Sequence, residues 1–459
     1  MIFRTRTPIA FLLPLLALLL PGIAAGPLCA QPGVPENLAE YTSYGDNYFL
    51  EIATLPGPAS SRGRALVTFR LSYDLLTFRR TTQAYRKGGL YVATPTLFVE
   101  AAGPDGVIVD RASWRDTARV QEYARTNSKT DFLCGSVELA LRPGLYTVKY
   151  TLDDGTPGSG FTQTTAPFAM DDFNSVSPAI GMPIFIRRAV GDSLVLTAID
   201  GAAMFGRRLR AFIPLSSPVV PENLRFEVST VPKKGEAART VRTGDGTMLG
   251  PMVVERPLMS GNDIVYLTRR TDTGRVYGAL IDASTDDMDV GDYTLALTYR
   301  AGQNSVTDTS RFRIRWVEMP FTLSKPEYAI RALFPIATDE TIDEMLSGGR
   351  DAQRRAIDAF WAPRDPTPAT RYNEAMAEYY RRADYSYFNF RGIGQNDGVF
   401  TDRGKIYLLY GPPAEVTRDM QPNTAPREVW IYRQGVRRRF VFVDDGRNGD
   451  YRLVEYNDL

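Results

Sequence analysis

Between residues 47 and 173, short runs rich in Val, Thr, Tyr, Phe and Leu alternate with turn residues, as at 64–76, 90–101 and 137–151. A period of two puts every second side chain on one face of an extended strand. Gly103-Pro104-Asp105-Gly106 supplies a hairpin connection between two such runs, and Asp153-Asp154-Gly155 ends another. Several short strands at this spacing predict a β-sandwich. The same pattern returns between residues 182 and 317.

The two β regions read as a loose repeat. Arg142-Pro143-Gly144-Leu145-Tyr146-Thr147-Val148 closes the first, and Val290-Gly291-Asp292-Tyr293-Thr294-Leu295 stands near the end of the second. Each is a Gly-x-Tyr-Thr-aliphatic turn leading into a strand that ends on a tyrosine, Tyr150 or Tyr299, and one more strand-like run follows at 165–171 or 310–316. This resembles the last hairpin of many bacterial immunoglobulin-like domains. The chemistry is that of a glycine allowing a tight approach before alternating residues face one buried side.

Past Pro320 the period changes. Ile342, Met345 and Leu346, then Ala352, Ala356, Ile357, Phe360 and Trp361, recur at helical spacing around a Gly348-Gly349 break. Asp365-Pro366-Thr367-Pro368 stops one helix and predicts the start of the next, with Thr367 as its cap and Pro368 first inside. Tyr372, Met376, Tyr379 and Tyr380 form the apolar stripe of that second helix. Strands are then predicted at 405–410, 428–432, 439–443 and 451–456, with Asp444-Asp445-Gly446 and Asn448-Gly449 as turn formers between the last two. The fold class is therefore mostly β and multidomain: two immunoglobulin-like β-sandwiches at 31–175 and 180–320, then an α+β domain at 324–459 with a helical pair packed on a small antiparallel sheet.

The N-terminus adds a compartment. Arg4 and Arg6 precede an apolar run at 9–20, and no charged residue occurs from Thr7 to Pro35. About 20 apolar residues cross a bilayer, but Pro14 and Pro21-Gly22 interrupt a spanning helix. A basic start, a short apolar run and small residues beyond it form the secretory pattern, so residues 1–30 are expected to be a signal peptide. Leu28-Cys29-Ala30 before Gln31 places the cut after Ala30, giving a periplasmic or secreted protein. Cys29 offers the rival outcome of a lipidated cysteine tethering the protein to the envelope membrane, although Leu28 stands where lipoprotein signals carry a small residue. Membrane contact is expected only in that case.

Charge and composition remove classes of function. At 459 residues the chain is long enough for about three domains. Removing Arg4 and Arg6 from the 54 basic residues leaves 52 against 53 acidic ones. That balance provides no field for nucleic acid, and no nucleic-acid motif is present. Histidine is absent from the whole chain, which excludes Ser-His-Asp and Cys-His catalysis and His-ligated zinc. After cleavage Cys134 is the sole thiol, so no internal disulfide forms, and its place in a strand-like stretch marks a small buried hydrophobe. Asp444, Asp445, Asn448 and Asp450 are oxygen ligands within seven positions, yet they lack EF-hand spacing and explain themselves as a turn. No carboxylate pair stands out for glycoside hydrolysis. Trp114, Trp316, Trp361 and Trp430 sit at core spacing, and Arg437-Arg438-Arg439 reads as a solvated turn or strand edge. No catalytic residue, cofactor or metal site is assigned.

The stretches FWAPRDPTPATRYNEAMAEYYRR at 360–382 and DGVFTDRGKIYLLYGPPAE at 397–415, with EVWIY at 428–432 and FVFVDD at 440–445, carry a family likeness. The region from Ser324 to Leu459 resembles the GWxTD domain of exported bacterial proteins. Gly398, Thr401 and Asp402 match the naming motif, while Val399 stands where the family has tryptophan. The resemblance implies export and brings no activity with it. The motif residues, of unassigned role, are Gly398, Phe400, Thr401, Asp402, Arg403, Gly404, Tyr410, Gly411 and Pro412. Their turn chemistry predicts that Val399 and Phe400 point inward, that Thr401 and Asp402 cap backbone donors, and that Gly411-Pro412-Pro413 ends a strand. The competing reading is a groove lined by Asp402, Arg403 and nearby tyrosines. Two functions follow: an interaction or scaffold protein with a protein partner in the cell envelope, or an envelope polysaccharide-binding or carboxylate-based hydrolytic protein.

Overall fold

Among the described residues, strands dominate and α-helices begin only at Pro326. The structure, a computed structural model, describes residues 48–459 apart from 57–62, 82–90, 130, 156–159, 174–177, 198–200, 233–236, 318 and 395–396. The expected signal peptide, Cys29 and the Ala30–Gln31 junction lie outside the described residues.

In the first β region, Gly63–Ser72 is the middle strand of an antiparallel sheet, between Tyr48–Leu55 and Phe132–Leu141. A second antiparallel sheet is ordered Phe161–Thr164, Gly144–Asp153, Thr96–Ala102, Ile108–Arg115. Ala65, Val67, Phe69 and Leu71 of the first meet Leu97, Val99, Val148 and Leu152 of the second in one core. Alternation thus supplies the two facing layers. Leu66 points the other way and is also buried. With Ala53, Leu55 and Cys134 it packs against Ile184, Leu194, Phe212 and Tyr266 of the second β region. The two β regions therefore share a buried apolar surface. Cys134 lies inside it, where burial raises its thiol pKa.

The second region folds one continuous sheet over on itself. Thr240–Leu249 pairs with Leu224–Thr230 along its first part and with Val276–Ala283 through Thr247, Met248 and Leu249. It passes from one layer to the other. Leu224, Phe226, Leu295 and Leu297 of one layer pack on Ala211, Ile213, Ala279 and Ile281 of the other. The repeated turns match in detail. Gly144 and Gly291 have φ of 156° and 158°. The hydroxyls of Tyr146 and Tyr293 each donate to a carbonyl four residues back, Arg142 at 3.1 Å and Asp289 at 3.0 Å.

The C-terminal part holds α1 (Pro326–Arg331), α2 (Asp339–Leu346), α3 (Arg350–Trp361), α4 (Glu374–Asn389) and α5 (Asp402–Tyr410). An antiparallel sheet follows in chain order: Glu415–Asp419, Arg427–Tyr432, Arg438–Val443 and Arg452–Asp458. Ile342, Met345, Ile357 and Trp361 are buried, as their spacing predicts, and Gly349 caps α3. Two expectations are corrected. The second helix does not start at Thr367-Pro368 but at Glu374, with Asn373 as its cap. Asn373 accepts from the Met376 amide at 2.9 Å and donates to the Trp361 carbonyl at 3.1 Å, tying α4 to α3. Tyr372 stays outside the helix because its ring is held between Phe205 and Trp316 of the second β region, 5.6 Å from each. These distant contacts override a local start signal.

The second correction is larger. The predicted strand at 405–410 is helix α5, with Leu408 in the helical core and Ile406 and Tyr407 against the sheet. The IYLLY run is apolar at every position, so periodicity cannot choose between strand and buried helix. Thr401 at the cap and Asp402 in the first turn decide for helix.

Candidate functional site

The motif is assembled by hydrogen bonds around a single 3₁₀ turn, Gly398–Phe400. Asp397 sets the turn: its carboxylate accepts from the Val399 amide at 2.9 Å and the Tyr328 hydroxyl at 3.0 Å. Burial, then the neighbouring Asp397 charge, raises the Tyr328 phenol pKa. Val399 is fully buried in the helical core, as expected. Phe400 departs from expectation, being 38% exposed, with its ring 5.4 Å from Phe334 and 6.1 Å from Tyr328. Successive side chains of a 3₁₀ turn are about 120° apart, so neighbours cannot both face the core.

Thr401 links the turn to α5. Its hydroxyl donates to the Gly398 carbonyl at 2.8 Å and accepts from the Gly404 amide at 3.0 Å. Asp402 opens the helix, and its carboxylate accepts from the Leu453 amide at 2.8 Å, fastening α5 to the last strand. Glycine at 398 and 404 answers close backbone approach. A Cβ at Gly398 would lie 1.9 Å from the Ser386 carbonyl oxygen, and one at Gly404 would lie 2.1 Å from that of Gly398.

Arg403 is buried. It donates to Glu428 at 3.2 Å and to the Gly449 carbonyl at 3.1 Å, and its guanidinium lies 4.1 Å from the Tyr451 ring centroid. Glu428 sits on the inner face of its strand with Trp430 and Tyr432. A carboxylate there needs an opposite charge. Arg403 supplies it from within, and Arg418 adds a bond from the rim at 2.6 Å. The side chains of Asp402 and Arg403, which the competing reading placed along a groove, are both engaged in holding elements together. At the far end of α5, Tyr410 stacks on Phe440 at 5.6 Å. Gly411, with φ 72°, caps the helix and accepts from the Tyr432 hydroxyl at 2.8 Å. Pro412 follows half-buried, so Gly411-Pro412-Pro413 ends a helix rather than a strand.

Asp384 on α4, a residue the motif does not contain, is completely buried. It accepts from the amides of Phe321 at 2.7 Å and Thr322 at 3.0 Å, and from the Thr322 hydroxyl. Burial pushes its pKa up to about 7 against the pull of these donors. It anchors α4 to the segment that leaves the second β region. Local pattern offers no sign of this partnership. Glu428, by contrast, could have been found from its alternation with Trp430 and Tyr432.

The other candidates resolve structurally. The Asp444 carboxylate accepts from the amides of Asn448 at 3.1 Å and Gly449 at 2.8 Å, as a turn. Arg437 occupies a turn with φ 45°, while Arg438 and Arg439 pair with Asp458 and Glu455, each at 2.9 Å. Trp361 and Trp430 are buried in the cores. Trp114 packs on Phe69 at 4.8 Å and Trp316 on Phe205 at 5.4 Å.

Comparison with known proteins is informative for this part of the chain. Residues 298–458 match the GWxTD domain family, a span that begins upstream of Ser324. No curated protein matches the chain. Similar solved structures include one described as BspA_C_mut, at 9% identity over 58% of this chain and 98% of that chain, with a TM-score of 0.14. A family 123 glycoside hydrolase from Clostridium perfringens is 12% identical over 39% of this chain and 36% of that one, with a TM-score of 0.18. Scores this low carry no weight for fold or activity.

Proposed function

Since the C-terminal third of this chain is a GWxTD domain, we propose that the protein is an exported, non-enzymatic interaction or scaffold protein of the bacterial cell envelope. The leader pattern of Arg4, Arg6 and the apolar run at 9–20 supports export, with a periplasmic or released mature form. The matched tyrosine bonds of Tyr146 and Tyr293 support reading the two β regions as immunoglobulin-like modules. Such modules would present the C-terminal domain to a protein partner.

One observation carries the interaction reading. Thr401, Asp402 and Arg403 spend their side chains on internal bonds, whereas Phe400 is the motif side chain turned to solvent, backed by Phe334 and Tyr328. An aromatic held rigid from behind is a suitable anchor for a partner. Around the motif, Asp384, Asp397, Asp402 and Glu428 all accept hydrogen bonds from internal donors. Nothing there favours a carboxylate-based hydrolase.

The test is co-purification from envelope extracts with wild type and Phe400→Ser. The expected result is a partner lost with the variant while its melting temperature stays at the wild-type value. If the variant retains every partner at equal stability, the motif surface is not the contact. Mass spectrometry of the mature N-terminus checks export: Gln31, free or cyclised, supports release, and a diacylated Cys29 replaces release with anchoring. An uncut Met1 would sink the export reading.

A further inference from the structure

A cavity of about 520 Å³ opens in the second β region, away from the motif. Four arginines line it, Arg187, Arg207, Arg208 and Arg210, with Thr197 and Met204 among the other walls. They come from two segments far apart in sequence, Arg187 from one and Arg207, Arg208 and Arg210 from the other. Arg187 lies at a β-bulge: the pairing of Ile184–Val190 with Ser193–Leu196 slips between Ile186 and Arg188. A bulge inserts one residue and re-aims its side chain. Arg210 belongs to the Leu209–Ser216 strand, and Arg208 stands two positions earlier, on the same face by the strand period. Arg207 is carried by the turn after Ala202–Met204, at whose Gly206 a Cβ would lie 2.7 Å from the Tyr372 ring. That turn is packed against Tyr372 of the GWxTD domain.

The charges do not cancel. Asp263 pairs with Arg187, and Asp282 bridges Arg208 at 2.5 Å and Arg210 at 3.1 Å. Arg210 also donates to the Arg187 carbonyl at 2.9 Å, which fixes its orientation. Among the described residues, no carboxylate within salt-bridge reach pairs with Arg207, which is exposed. Among the described residues, four guanidinium groups therefore pair with two carboxylates, an excess of two positive charges. The existing pairs use only part of the five N–H donors that each guanidinium carries. A single carboxylate would be satisfied by one arginine fork. A tetrahedral dianion can take forks from several arginines at once and neutralises the excess.

We propose that this cavity binds a multiply charged phosphate group. Asp282 holds Arg208 and Arg210 in place, and Arg207, without a carboxylate partner among the described residues, is the fork that closes on the ligand. The shared chemistry is a phosphate dianion or diphosphate, borne either by a soluble compound or by a lipid headgroup.

Calorimetric titration of the purified protein with pyrophosphate tests the proposal, alongside sedimentation with vesicles of phosphatidic acid in phosphatidylcholine. Arg207→Ala leaves the Asp263 and Asp282 pairs intact, and thermal unfolding checks that it folds. The expected result is saturable binding of at least one probe, weakened about tenfold or more by Arg207→Ala through loss of charge-assisted bonds. Arg225→Ala, at an exposed arginine paired at 3.9 Å with Asp245, should bind like wild type. Pyrophosphate binding assigns a soluble source, and vesicle binding without it assigns a headgroup. The proposal is overturned if neither probe binds saturably, if Arg207→Ala binds like wild type, or if malonate binds as tightly as pyrophosphate.

Discussion

Removing the Arg403 guanidinium asks directly whether the motif builds the domain or serves a ligand. In Arg403→Met the side chain keeps much of its volume but loses the bonds to Glu428 and Gly449. Glu428, only 3% exposed, is left with Arg418, whose own side chain is 67% exposed. Breaking a buried ion pair from one side costs about 3–5 kcal/mol. Because Arg418 keeps its bond to Glu428, the lower end, about 3 kcal/mol, is expected. Glu428→Gln removes the charge from the other side. The double variant leaves no unpaired buried charge between these two, so it should be less destabilised than the two singles together, with a coupling of about 2 kcal/mol. Urea denaturation of all four proteins measures the cycle. Hydrogen exchange in α5 and Arg427–Tyr432 localises it, since neighbouring units can open separately. A coupling below about 0.5 kcal/mol would be within additivity. With Arg403→Met close to wild type, that outcome would refute the structural role and return Arg403 to the pool of ligand-binding groups.

Two further outcomes follow from the same packing. Val399→Trp, which restores the family tryptophan, inserts an indole where a valine is fully buried and should destabilise by about 1–3 kcal/mol through overpacking; an unchanged urea midpoint would mean that the core has room for it. For Asp384, raised from 3.8 to about 7 by burial, the folded state binds the extra proton between those values. Its contribution is full below the unfolded pKa and is lost as pH rises to about 7, on the order of 4 kcal/mol in all. Urea midpoints of wild type and Asp384→Asn should converge in slope above that range and differ within it, and identical profiles from pH 4 to 7 would count against the buried carboxyl.

Much of the architecture was legible because it is written at short range. Alternation in Gly63–Ser72 and Arg427–Tyr432 marks opposite faces, and helical spacing from Ile342 to Trp361 marks one face of α2 and α3. The turns at Gly144 and Gly291 were readable from glycine and tyrosine two positions apart. These features depend on backbone geometry and on which side of one element is apolar, both properties of neighbouring residues.

What tertiary structure decided depends on residues far apart in sequence. Thr401 and Asp402 signal a helix locally, but that all of IYLLY can be apolar within it depends on both of its sides being covered, by the helical core and by the sheet. Tyr372 leaves its expected helix for Phe205 and Trp316, and Asn373 takes over the cap by reaching the Trp361 carbonyl. Glu428 meets Arg403 only once the strand has packed on α5. The sequence by itself specified elements and their apolar faces. Which face meets which partner, and hence that the motif's charged residues are internal struts while Phe400 looks outward, is a matter of burial and long-range pairing that no local pattern encodes.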